Sequence, residues 1–359
     1  MKSTVPRMIF TGSLGLQGEI ALRHRLKRES LRLRSRAMNC DAELFKKVLL
    51  QASQEALSGI SQATLRLGEQ ISALVARLKP KVIVVTYEGH AWERIAFSAA
   101  RSVIPGIRCV AYQHAALFRL QHAIQRNLAD GFNPDALLTS GVVSKTKLER
   151  APGLKGIPVS VLGSNRTFKR NPATAGGVNQ GALKEHSDNL ACLVLPEGYM
   201  SECQHLFEFS LACAKKLPKI RFIWRLHPSV TYDALAKKNP KLMQSLPGNI
   251  ELSSSTLEED TRRSRWVLYR GTTAVVQAVV AGLRPIYLQF PGEMTIDPLY
   301  ELETWRAKIS DVSGFQRVVY PDAVLPDYPS DSAVEEARKY CELLITPMNV
   351  NTIEALVPG

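Results

Sequence analysis

What most constrains this chain is a recurring unit, an apolar strand that ends in a tight polar turn and runs on into a helix. It is clearest between Arg221 and Glu293. There the run RFIWRL ends in His227–Pro228, and the run RWVLY (Arg265 to Tyr269) turns through Gly271, Thr272 and Thr273 into a helix that closes at Gly282. Such a turn aims several backbone N–H groups and two hydroxyls at one spot, which suits an anion. A histidine at the end of a second strand can face the same crevice. Domains built this way are doubly wound α/β folds, and their ligands bind outside the carboxyl ends of the strands. A nucleotide-phosphate pocket is therefore expected here.

The alternation extends along most of the chain. Strands are predicted at Lys81 to Thr86, Ile107 to Tyr112, Asp135 to Ser140 and Val159 to Leu162, with a helix from Ala91 to about Val103. A second series follows: strand Leu190 to Leu195, helix Ser201 to Leu217, strands at Arg221, Asn249 and Arg265, helix Thr272 to Ala281, and strand Pro285 to Gln289. Strands alternating with helices imply parallel βαβ units. Residues 165 to 188 are polar and rich in Gly and Asn, so they read as the linker. With 359 residues, length suggests about two domains. These are an N-terminal domain over 1–165 and a C-terminal, nucleotide-binding domain over 189–345, with a tail over 346–359. Before Lys81 there is little strand signal. Residues 41 to 78 read as amphipathic helix, ended by Lys79–Pro80.

No apolar run reaches the roughly 18 residues of a membrane span. The first residues lack the apolar core of a signal peptide, so the chain reads as cytoplasmic. The six cysteines form no CxxC pair and sit mostly in apolar runs, as small buried hydrophobes do. The net charge is +13, and Arg23 to Arg36 carries seven Lys or Arg against one Glu. That segment is either a solvated basic helix or a surface for an anionic membrane face or glycolipid. Nucleic acid is not expected, because no aromatic interleaving or binding motif accompanies the charge. No HExxH, DxD or His/Cys cluster is present, so neither a metal nor another cofactor is expected.

At the strand ends, polar residues recur where the apolar runs stop. Glu88 is a candidate base or nucleophile, and the alternative is an acid favoured at a helix start. His114 would orient a substrate. Glu197 and Glu202 flank the start of the helix after the fifth strand and are further catalytic candidates. His227 would bond a phosphate oxygen and help it depart. Gly271, Thr272 and Thr273 would hold that phosphate. Within Glu258–Glu259–Asp260, Glu259 or Asp260 would accept from ribose hydroxyls. Arg166, Arg225 and Arg270 are further substrate-binding candidates, as cations.

Six segments carry a family resemblance: TYEGHAWERIAFSAAR (Thr86 to Arg101), YQHA (Tyr112 to Ala115), EGYMSE (Glu197 to Glu202), RLHP (Arg225 to Pro228), LEED (Leu257 to Asp260) and YRGTTAVVQAVVAGLRPIYL (Tyr269 to Leu288). Together, over roughly residues 80 to 300, they resemble bacterial surface-carbohydrate glycosyltransferases of GT-B fold. The branch they most resemble includes the retaining β-Kdo transferases of O-antigen and capsule assembly. The pattern is also similar to that of GT-B sialyltransferases. The resemblance implies two Rossmann-like domains facing a cleft, a CMP-sugar donor such as CMP-Kdo, and a glycolipid or oligosaccharide acceptor of lipopolysaccharide biosynthesis. It implies that Glu88 is catalytic and that His227, Thr272 and Thr273 contact the CMP phosphate. Where the family often has Ser, this chain has Thr–Thr, which keeps the hydroxyls. The basic N-terminal segment matches no part of the family pattern. Rival expectations are a transferase using CDP-glycerol or a UDP-sugar, and a catalytically silent scaffold of the same fold.

Overall fold

The computed structural model describes residues 7–10, 12–166, 190–320 and 331–354. Most of the expected linker, residues 167–188, lies outside the described residues.

Three helices precede the first strand: α1 (Gly15–Met38), α2 (Glu43–Glu55) and α3 (Gly59–Leu78). Helix α1 buries Leu22, Leu26, Ser30 and Ala37, positions that recur on one face at helical spacing. Its Ser30 hydroxyl donates to the Ser53 carbonyl of α2 at 2.7 Å. Its Glu19 takes a two-pronged bond from Arg66 of α3, at 2.6 and 2.9 Å. Helix α3 starts where Ser58 Oγ accepts from the Ser61 amide. It stops at Lys79, whose φ of 47° reverses the chain before Pro80, a left-handed cap followed by a residue that cannot extend the helix.

The first sheet follows: β1 (Val82–Thr86), β2 (Arg108–Gln113), β3 (Ala136–Thr139) and β4 (Val159–Val161), with α4 (Ala91–Val103) after β1 and α5 (Val142–Glu149) after β3. Its strands lie in the order β1-β2-β3-β4, all parallel. Helix α3 lies on α4, where Ile95 reaches the space a Cβ on Gly68 would fill. Phe97 of α4 is fully buried against Tyr87, Cys109 and Leu137, and truncating such a phenylalanine costs about 3–5 kcal/mol.

The second domain adds β5 (Ala191–Leu195), α6 (Met200–Lys216), β6 (Arg221–Trp224), α7 (Tyr232–Lys238), α8 (Pro240–Met243), β7 (Ile250–Leu252), α9 (Leu257–Arg262), β8 (Trp266–Tyr269), α10 (Ala274–Val280), β9 (Arg284–Leu288), β10 (Ala307–Ile309), α11 (Val312–Val319), α12 (Asp331–Leu344) and α13 (Asn351–Glu354). Its parallel sheet has the order β10-β9-β8-β5-β6-β7. The chain steps outward from β5 to β7, crosses back to β8, and steps outward the other way to β10. Direction therefore reverses between β5 and β8, and a crevice opens at the carboxyl ends of those two strands. Both are buried along their whole length, which explains their unbroken apolar runs. Phe207 of α6 stacks on Trp224 of β6 at 4.3 Å between centroids.

The segment read as a tail instead ties the domains together. Thr346 N donates to the Ser140 carbonyl at 2.9 Å, Ser164 N to the Thr346 carbonyl at 2.8 Å, and Asn349 N to the Leu162 carbonyl at 2.8 Å. Strand β4 is the edge of its sheet, so its outer backbone groups need partners. Thr346, Asn349 and Thr352 supply them. Helix α12, just before, packs on α10 of the second domain and α5 of the first.

Candidate active site

The two sheets present their carboxyl ends to a common cleft. On the first domain, the loop after β1 carries Glu88. That loop is held by Glu93, which is 1% exposed. Its carboxylate accepts from the backbone amides of Glu88, Gly89 and His90 at 2.7–3.0 Å. Glu93 is the third residue of α4, and with His90 at the N-cap it forms a capping box. The sequence reading did not single it out, although its spacing from the helix start is the pattern of such a box. The Glu88 carboxylate lies between two imidazoles. His90 Nε2 is 3.3 Å from one oxygen, and His114 Nε2, from the end of β2, is 3.8 Å from the other. His114 Nδ1 is buried with no described partner.

On the second domain, three strand-end loops converge. The first is Glu197–Gly198, after β5. The second is His227–Pro228–Ser229, after β6. The third is Arg270–Gly271–Thr272–Thr273, after β8. Gly271 has φ of 62°, a conformation L-residues pay to adopt. A Cβ there would lie 2.4 Å from Glu197 Oε2. So the carboxylate rests on the glycine, at the point where strand order reverses. On its other side, a Cβ on Gly198 would lie 2.9 Å from His227 Nδ1.

Ser229 fixes the state of His227. Its backbone N–H donates to Nδ1 at 3.2 Å. A backbone amide can only donate, so Nδ1 is the acceptor and Nε2 carries the ring proton. The Ser229 hydroxyl lies 2.8 Å from Nδ1 and 3.2 Å from the Gly198 carbonyl. His227 is exposed, so it offers an N–H donor to a ligand in the cleft. Thr272 Oγ1 accepts from the Ala274 amide at 3.2 Å. Helix α10 starts at Ala274 with Thr273 at its N-cap, two residues later than the pattern suggests.

Glu197 is the perturbed group. Burial, then the neighbouring charges of Glu202 and of Glu88, push its pKa up from 4.5 to about 7, and Arg270 opposes the rise. Glu88 belongs to the other domain, so the two carboxylates meet electrostatically across the cleft.

Other candidates have structural duties. Arg270 is 3% exposed and spends its guanidinium inside the protein. Nε donates to Glu202 at 2.8 Å, Nη2 to Glu293 at 2.7 Å and Nη1 to the Leu288 carbonyl at 3.0 Å. Its planar face lies over Phe290. Glu202 is thus the counter-ion of a buried cation. Asp260 is fully buried and takes bonds from Arg225 at 3.0 Å and Arg263 at 2.7 Å, plus one from Ser253. Arg225 also donates to the Ser255 carbonyl at 2.6 Å. A ribose site at Asp260 and a donor-carboxylate site at Arg270 do not fit this geometry, because both groups are buried and internal partners already occupy them. Glu259 is exposed, and its carboxylate closes a capping box on the Thr256 amide at 2.7 Å. That box holds its pKa below the ordinary range. Arg166 is exposed after β4. Among the described residues no group of three His, Cys, Asp or Glu side chains could hold a metal ion, and no helix is long and apolar enough to cross a membrane.

Chemically, the arrangement sets a carboxylate bracketed by imidazoles against a carboxyl that holds a proton near neutrality. An N–H donor and a hydroxyl stand beside them.

The sequence matches no protein-family model, and no curated protein matches it. The fold does have relatives among solved structures. A putative UDP-N-acetylglucosamine 2-epimerase from Listeria monocytogenes superposes with a TM-score of 0.53 at 14% identity, over 84% of this chain and 78% of that one. The UDP-GlcNAc 2-epimerase from Methanocaldococcus jannaschii, in complex with UDP-GlcNAc and UDP, gives 0.50 at 13% identity, over 80% and 82%. A glycotransferase of kitacinnamycin gives 0.50 at 12% identity, over 84% of each chain. At such identities the likeness is one of fold. Two parallel-sheet α/β domains in this arrangement are of GT-B type.

Proposed function

We propose that this protein is a glycosyltransferase that moves an acidic ketose, Kdo, from a CMP-sugar to a glycolipid or surface-polysaccharide acceptor. The observation that carries the reading is a pair of strand-end sites on the two domains, Glu88 between His90 and His114 on the first and Glu197 against Gly271 beside His227 on the second, with the charge of Glu88 felt at Glu197. A transferase that holds donor and acceptor on different domains needs reactive groups from both at the junction. On this reading CMP sits on the second domain, its phosphate on His227 Nε2–H and the Thr272 and Thr273 turn. Glu88 takes the proton of the attacking acceptor hydroxyl, or itself attacks the anomeric carbon in a retaining route. The bond from anomeric carbon to phosphate oxygen breaks as the new carbon–oxygen bond forms. His227 then stabilises the charge left on the departing CMP. Of the three arginines considered for the donor carboxylate, Arg166 is the exposed one. The enzyme would work in the cytoplasm, at the membrane face that bears its acceptor.

A UDP-sugar donor is the second reading. It is favoured by the fold shared with the archaeal structure solved with UDP-GlcNAc and UDP. A thermal-shift panel of CMP, CDP, UDP, GDP and ADP separates the two. At about 100 times its Kd, the preferred nucleotide should stabilise the fold by about 2.7 kcal/mol. Preference for UDP moves the assignment to the second reading. Preference for a purine, or no binding at all, overturns both. Glu88→Gln should lose transfer and keep nucleotide affinity, because the nucleotide lies on the other domain.

A further inference from the structure

We propose that helix α1 docks the protein on an anionic phospholipid bilayer. The inference goes beyond the transferase reading and stands on the helix alone. At 100° per residue, positions 16, 20, 27, 31, 34 and 38 of α1 fall within about a 60° sector. That sector holds Leu16, Ile20, Lys27, Leu31, Arg34 and Met38. Its apolar members are open to solvent, with Leu16 79%, Ile20 47%, Leu31 57% and Met38 70% exposed. The face buried against the protein, Leu22, Leu26, Ser30 and Ala37, is centred about 110° from the middle of that sector. Just before the helix, Met8, Ile9 and Phe10 are also exposed, Ile9 at 91%.

Charge separates a bilayer from other occupants. Lys27 and Arg34 lie within the stripe and Arg23 and Arg28 flank it, all four exposed. The two acids of α1 do not oppose them. Glu19 is paired with Arg66, and Glu29 is bonded to Arg32 at 2.8 Å. An apolar stripe flanked by cations suits the boundary between anionic headgroups and acyl chains. Polynucleotides would use the cations and leave Leu16, Ile20, Leu31 and Met38 in water. A second copy of this chain would bring its own cations against these.

The test is co-sedimentation of the full chain with vesicles of pure phosphatidylcholine and with vesicles containing phosphatidylglycerol. Binding is expected to the anionic vesicles, with weakening as salt shortens the screening length. Replacing Arg28 and Arg34 together by Gln should weaken binding about 25-fold, from roughly fivefold for each cation near an anionic surface. Arg23→Gln with Lys27→Gln should do the same. Leu31→Ser should weaken binding at low and at high salt. All these residues are exposed, so unchanged thermal midpoints are expected to accompany the loss. Four results would overturn the proposal. They are equal binding to both vesicle types, no binding to anionic vesicles at low salt, unchanged binding of both double variants, and a dimer in solution that Leu31→Ser makes monomeric.

Discussion

Glu197→Gln isolates the chemistry of the cleft, because the amide mimics the protonated acid and cannot ionise. The wild-type carboxyl has its pKa pushed from 4.5 to about 7 by burial, Glu202 and Glu88. Each unit is about 1.36 kcal/mol, so the shift sets a ceiling of about 3.4 kcal/mol on the linked stability. Glu197 is only partly buried, and screening by water reduces the working figure to about 1–2 kcal/mol. The sign follows from proton counts. Between about pH 4.5 and pH 7 the folded protein keeps a proton on Glu197 that the unfolded chain has released, so wild-type stability falls as pH rises through that window. The Gln variant lacks this slope. Its stability relative to wild type should therefore grow by about 1–2 kcal/mol from about pH 4.5 to about pH 8. Urea unfolding read by tryptophan fluorescence suits the measurement, since Trp224 and Trp266 lie in the core of the second domain. Adding Glu88→Gln should shrink the slope, because the cross-cleft charge is then gone. A pH-independent difference between wild type and variant would refute the desolvated, charge-crowded placement of Glu197. A slope unaffected by Glu88→Gln would refute the meeting of the two carboxylates.

Three further substitutions test the remaining parts of the site. His227→Ala should keep the fold and lose about 1.5–3 kcal/mol of interaction with the phosphate, read as lower turnover and nucleotide affinity, and wild-type values for both would make His227 a turn residue. Gly271→Ala should cost about 1–2 kcal/mol from left-handed backbone alone, and by displacing the Glu197 carboxylate it should also flatten the pH dependence described above. Arg270→Met should destabilise the second domain by about 1.5–3 kcal/mol, because it removes charge-assisted hydrogen bonds to Glu202 and Glu293, the former only partly exposed. A small change in urea midpoint for that variant would mean the arginine is not the hub that the geometry makes it.

Much of the local structure is written in the sequence. Helix α4 spans Ala91–Val103, where the pattern places it, because helical periodicity and the punctuation by His90 and Ile104–Pro105 act over a few residues. The buried strands at Ala191–Leu195 and Trp266–Tyr269 follow from unbroken apolar runs for the same reason. The list of polar residues at strand ends is likewise readable, since a parallel strand must stop before its ligand crevice. Strand order is another matter. Nothing within RWVLY tells that it pairs beside β5 rather than beside β7, and that long-range choice puts Gly271 against Glu197. The partners of long side chains are equally invisible in one dimension. Arg270 reads as a cation at a strand end, and only packing turns it inward between Glu202 and Glu293. Residues 346–359 read as a tail, and only the unpaired edge of β4 draws Thr346 to Thr352 back across the domain boundary. The sequence by itself determined the elements and the polar groups at their ends, because those depend on neighbours a few residues away. Tertiary structure decided which of those groups meet, because burial and pairing between distant segments set the distances on which charge and hydrogen bonding act.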